Sequence, residues 1–137
     1  ITQHPDPFTD HFAWNVNYDI DPNRVEELAQ TFVGEHDFAG FCCSGSEAKT
    51  TTRTIHSIQV APGTIIGSRD IKNAFTIHYH GQGFLYKMVR NLTGTLIDVA
   101  RGHLPKETLQ QRLNAPAPYL GYTAPAKGLF MKQVLYD

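Results

Sequence analysis

Three observations predict an α+β domain. Residues 84–102 repeat apolar side chains at helical spacing, with Leu85, Met88, Val89, Leu92, Leu96 and Val99 on one side. Residues 11–17, 53–60, 74–80 and 129–136 instead alternate or run in strand-like patterns. In chain order the elements read strand, helix, strand, strand, helix, short helix, strand. That order is the β-α-β-β-α-β ferredoxin-like split unit, with a mainly antiparallel sheet, both main helices on one face and one short extra helix. The 137 residues suffice for a single domain spanning 1–137 with a core of its own. A sheet covered on one face leaves the other for RNA, another domain or another subunit.

The elements follow in order. Residues 1–10, with Pro5 and Pro7, form an irregular entry. Phe12, Trp14 and Val16 alternate with small or polar residues and predict a half-buried first strand. Asp21 is a candidate N-cap with Pro22 at the first helical position, and Val25, Leu28, Ala29 and Phe32 make the apolar face of a helix ending near Gly34. Glu26 and Glu27 suit the start of that helix electrostatically. Residues 35–41 read as a polar loop pinned by Phe38 and Phe41, and 42–52 as a small, polar, mobile stretch. Strands follow at 53–60 and 74–80, around a turn at Ala61-Pro62-Gly63 and an ambiguous segment at 64–72. His80-Gly81-Gln82-Gly83 leads into the long helix as a glycine turn, a weak candidate cradle for phosphate. A short helix spans 105–113, a long loop covers 114–128, and residues 129–136 predict the last strand. A loop that long in a small domain implies a task for it.

Composition excludes more than it assigns. Apolar residues at 41% and charged residues at 18% are ordinary for a globular protein, and a net charge of −1 gives no global signature of nucleic-acid binding. Any basic surface is local. No apolar run is long enough to span a membrane. The two cysteines, Cys42 and Cys43, are adjacent, which disfavours a disulfide between them and fits a reducing, cytoplasmic setting.

Candidate chemistry is sparse. His78 and His80 share a strand face, and His56, His103 or Cys42 could complete a zinc site, yet no C-x-x-C or H-E-x-x-H spacing supports one. A surface or RNA-facing sheet explains these histidines better, so no metal is expected. Cys42 and Cys43 lie near His36 without the context of a cysteine nucleophile. Asp98 and Arg101 are spaced for an i,i+3 ion pair. Lys87, Arg90, Gly94 and Arg101 form a stripe opposite the core face of the long helix. Gly94 costs about 1 kcal/mol of helix stability against Ala, and a glycine in this stripe lets another backbone or a ligand approach closely.

The motifs G-Q-G-F-L-Y-K-M-V-R-N, then G-T-L, then T-A-P-A-K-G-L-F resemble the tRNA pseudouridine synthase A family. The resemblance covers nearly the whole chain and corresponds to the C-terminal half of such an enzyme. It implies a parent protein that isomerises uridine to pseudouridine in the tRNA anticodon arm, as a cofactor-free cytoplasmic homodimer whose active site lies between the halves of the chain. Arg90 matches the active-site arginine that pairs with the catalytic aspartate. A guanidinium beside a partly buried carboxylate keeps that carboxylate ionised and oriented. The target base must be flipped out of its stack to reach it. Leu129 matches an apolar residue of the uracil pocket, while Phe84 and Met88 match positions packing the helix near the site. Arg53 matches a basic position, and Lys87, Arg101 and Lys127 are candidates for RNA phosphates.

The family's G-R-T-D-A-G-V-H motif, which holds the nucleophilic aspartate, and its uracil-stacking tyrosine do not occur in this sequence. The resemblance therefore implies that these 137 residues are inactive without an aspartate-bearing N-terminal half. Ala115-Pro116-Ala117-Pro118 replaces a charged stretch common before T-A-P, and Ala100 replaces a frequent glycine. A non-catalytic RNA-binding module and a dimerisation domain are the rival readings.

Overall fold

Asp21 opens the first helix by accepting a hydrogen bond from the Asn23 backbone N–H at 2.9 Å, and Pro22 occupies the first turn. The computed structural model describes residues 1–3, 7, 10–43, 47–63, 74–116 and 118–136. Helix α1 spans Pro22–Ala29, extended by a 3₁₀ turn at Gln30–Phe32. Strand β1 is Gly34–Asp37, β2 is Thr52–Pro62 and β3 is Phe75–Gly81. Helix α2 covers Met88–Ala100 and α3 Glu107–Leu113. The three strands pair antiparallel in the order β1-β2-β3.

The domain is thus α+β, with an antiparallel sheet that fits the ferredoxin-like description. One core joins Leu28 and Ala29 of α1, Ile55 and Ile58 of β2, and Met88, Leu92, Leu96 and Val99 of α2. A second cluster packs Val25 of α1 and Ile97 of α2 against Val16, Ile20 and Phe75. Both main helices therefore bury their apolar stripes on one side of the sheet, which leaves His56 and His80 in contact with each other on the strands, rings 5.1 Å apart.

Five sequence expectations are corrected by the structure. Residues 35–41 are not a plain loop: β1 runs into them and a 3₁₀ turn follows at Ala39–Phe41. Glu26 lies past the first turn of α1, and its carboxylate instead accepts the Val60 backbone N–H at 2.7 Å. Gln30 Nε2 donates to the Ile58 carbonyl at 3.2 Å. Side chains of α1 and its 3₁₀ extension thereby satisfy the part of β2 that β1 does not reach.

The expected strand at 11–17 shrinks to a single bridge. Thr2 donates to the Trp14 carbonyl at 2.8 Å and accepts from the Val16 N–H at 2.9 Å, and no longer ladder forms among the described residues. Residues 129–136 also form no strand there. Their pattern is strand-like, but a strand needs a neighbour, and the described residues pair none with it. The segment consequently exposes apolar side chains, Met131 at 83% and Tyr136 at 90%. Expectations falling on 4–6, 8–9, 44–46, 64–73 and Ala117 lie outside the described residues.

The long helix starts at Met88 rather than near Phe84, because Lys87 sits in the left-handed region at φ 59° and ends any helical path from upstream. Gly81 serves close packing: a Cβ there would lie 2.7 Å from the Thr54 carbonyl oxygen. Residues 122–124 of the long loop lie across α2.

Candidate active-site cleft

The site is built where α2 meets the 122–130 segment. Two consecutive helix residues grip the loop. Arg90 accepts the Ala124 N–H at its own carbonyl at 3.1 Å, and its Nε donates to the Ala124 carbonyl at 2.7 Å. Asn91, fully buried, accepts from the Thr123 hydroxyl at 2.7 Å and donates through Nδ2 to the Phe41 carbonyl at 2.7 Å. One turn on, Gly94 answers the question its sequence position posed. The Tyr122 carbonyl oxygen occupies the space a Cβ would fill. The close approach is by the chain's own backbone.

A cleft opens beside this junction, walled by Arg90, Val89 and Thr93 of α2, Ile77 and Tyr79 of β3, and Leu129 and Phe130. Phe12 and Trp14 complete it from the first segment. Trp14 also stacks on Tyr122, ring centres 5.7 Å apart and planes 28° from parallel. The walls are chiefly apolar, which suits a planar ring. Thr93 donates to the Val89 carbonyl at 2.7 Å, so its oxygen is left to accept from the Tyr79 hydroxyl at 2.9 Å. Burial drives the Tyr79 phenol far above its ordinary pKa. Tyr79 is therefore a neutral wall.

Arg90 is the cationic group of the cleft. Its Nε is committed to Ala124, and among the described residues its two terminal nitrogens have no partner. A guanidinium held in this way offers one remaining bidentate edge, the Nη1–Nη2 fork. A carboxylate meeting Arg90 engages it end-on.

The structure brings Arg90 and Leu129 to one cleft although 39 positions separate them in the sequence. Met88 is fully buried in the main core, under the helix rather than in the cleft wall. Phe84 is partly exposed, its ring edge near Gly81. Of the basic candidates, Arg101 is held by Asp98 at 2.9 Å and lies over the Tyr18 ring at 4.5 Å. Lys127 pairs with Asp10 at 3.3 Å. Arg53 donates to the Thr50 and Thr52 carbonyls at 2.9 and 2.7 Å. Lys87 lies over the Tyr86 ring at 5.2 Å. Among the described residues no group of three or more His, Cys, Asp or Glu side chains is arranged to hold a metal ion, and Cys42 and Cys43 are free thiols. Sequence reasoning passed over Asn91 and Thr123, although both stand inside quoted motifs, because neither is ionisable. It also passed over the Trp14–Tyr122 stack, whose partners are 108 positions apart.

The structure thus presents an antiparallel α+β domain with one arginine fork at the wall of an apolar cleft. The tRNA pseudouridine synthase family profile matches residues 28–137, and the chain belongs to this family. It is 36% identical over 136 residues to the tRNA pseudouridine synthase A of Bacillus licheniformis, covering 98% of this chain and 52% of that protein. Proteins of the same description from Listeria welshimeri and Streptococcus equi subsp. zooepidemicus are each 34% identical, over 96% of this chain and 51% of their own lengths. The chain spans about half the length of these curated relatives. No described helix is long and apolar enough to cross a membrane.

Proposed function

We propose that this chain supplies the arginine-bearing wall of a pseudouridine synthase active site acting on the anticodon arm of tRNA. The observation that carries the reading is Arg90, anchored at Nε and open at its Nη fork beside Leu129 in an apolar cleft. In the reaction, the N1–C1′ bond of uridine breaks, the detached uracil rotates, C5 bonds to C1′, and the proton lost from C5 is balanced by one gained at N1. The nucleophile is an aspartate supplied by an N-terminal half of the kind that carries G-R-T-D. Arg90 keeps that carboxylate ionised and fixes its plane through the end-on fork. The apolar wall at Leu129 and Ile77 takes the flat face of the flipped base. No step requires a metal or organic cofactor. The free cysteines accord with a cytoplasmic setting.

The test joins the chain to an aspartate-bearing N-terminal half and measures pseudouridine formation on unmodified tRNA. The joined protein should be active and the 137 residues alone inactive. Arg90→Ala in the joined protein should lower kcat about 10²–10³-fold with its fold intact. Activity that survives Arg90→Ala sinks the assignment.

The exposed apolar segment at 129–136 favours an additional association role, in line with a homodimeric parent. Sedimentation of the joined protein at several concentrations tests it, and a monomer throughout would refute it.

A further inference from the structure

We propose that Asn91 and Thr123 are positioning residues that aim Arg90, an inference that rests on the function proposed above. Arg90 cannot orient itself. The oxygen that fixes its Nε belongs to the backbone of a loop, at Ala124. A loop carbonyl is only as well placed as the loop, and the residue before it is held by a side-chain hydrogen bond. The Thr123 hydroxyl donates to Asn91 Oδ1 at 2.7 Å. Asn91 is itself immobilised, because its Nδ2 donates to the Phe41 carbonyl at 2.7 Å in the interior.

The chain of support therefore runs from the core at Phe41, through the Asn91 amide, to Thr123, across one peptide unit to the Ala124 carbonyl, and back to the guanidinium. The Asn91 carboxamide suits this place: one end must accept and the other donate, so a carboxylate of the same shape fails at one end and a hydrocarbon at both. Asn91 is fully buried and Thr123 half-buried, and neither lines the cleft. Their effect on chemistry must pass through Arg90. Displacing a catalytic cation by a fraction of an ångström to 1 Å changes rate far more than it changes substrate binding.

Thr123→Val is the cleanest test, because it preserves shape on a loop and deletes only the hydroxyl. Two readouts are needed. The first is hydrogen exchange of the Arg90 Nε–H, followed by nitrogen-15 NMR on this chain and requiring no activity. Thr123→Val should speed that exchange at least tenfold, and Thr123→Ser should restore it. The second is turnover by the chain joined to an aspartate-bearing half. Thr123→Val should lower kcat about 10–100-fold while KM for tRNA stays within twofold. Unchanged exchange in Thr123→Val overturns the proposal. So does a loss confined to KM or to melting temperature. If the joined wild-type protein makes no pseudouridine, the functional reading fails, and the exchange experiment still decides whether Thr123 holds Arg90.

Discussion

Lys87 shows how a single residue can separate stability from function. It is a non-glycine side chain at φ 59°, with no side-chain cap for the helix that it begins. A left-handed backbone costs such a residue about 1 kcal/mol relative to glycine. Lys87→Gly should therefore raise the melting temperature by about 3–4 °C. If the ammonium meets an RNA phosphate, the same change should weaken tRNA binding and reduce the slope of log affinity against log salt by about one. Calorimetry and salt-dependent filter binding check the two halves. The other basic candidates are tied to partners within the chain, at Asp98, Asp10, Thr50 and Thr52. A sequence stripe placed Arg90 and Arg101 together, but it could not show that one is bound by a neighbouring carboxylate and the other left open to the cleft. Only the M-V-R-N motif distinguished them, and it did so by resemblance.

At the scale of elements, α2 and the loop over it act as one unit. Gly94→Ala should gain about 1 kcal/mol of helix propensity. It also places a methyl where the Tyr122 carbonyl rests, and overpacking of this kind costs about 1–3 kcal/mol. The expected net result is a lower melting temperature and displacement of residues 122–124, visible as shifted amide resonances. Helix α1, α2, α3 and the two longer strands were legible because each carries its own period or cap. The two outer strands were not, because the pattern in residues 11–17 and 129–136 states only that a strand is possible there. Pairing is decided by what lies alongside, and that information is absent from a local window. Strand β1 was missed for the converse reason: Gly34-Glu35-His36-Asp37 is poor strand sequence, recruited by its ladder with residues 52–55.

For the whole molecule, two half-buried phenols should govern the alkaline limit. Tyr79 is raised by burial, and Tyr119 is raised first by burial, against a hydrogen bond from Thr95 and the nearby Arg112. A phenol with a raised folded pKa contributes fully below the unfolded value of about 10, and its contribution falls as pH rises from there toward the folded value. Denaturant unfolding should show constant stability from this source up to pH 9. Between pH 10 and 12 it should decline, by up to about 1.4 kcal/mol per pH unit for Tyr79. Tyr79→Phe should flatten that decline, and an unchanged slope would refute the assignment. The apolar segment at 129–136 belongs to the same scale: its exposure is a property of what the rest of the chain leaves uncovered.

The acceptor that orients Arg90 is a main-chain oxygen at a position already occupied by alanine. A mutational scan that replaces each side chain in turn with alanine would read position 124 as blank. Saturation mutagenesis would score it by the bulk of the newcomer, since the oxygen survives every exchange. That oxygen is thus silent to alanine scanning. Its importance would surface only as sensitivity at neighbours that shape the backbone, Thr123 and Gly94 first among them.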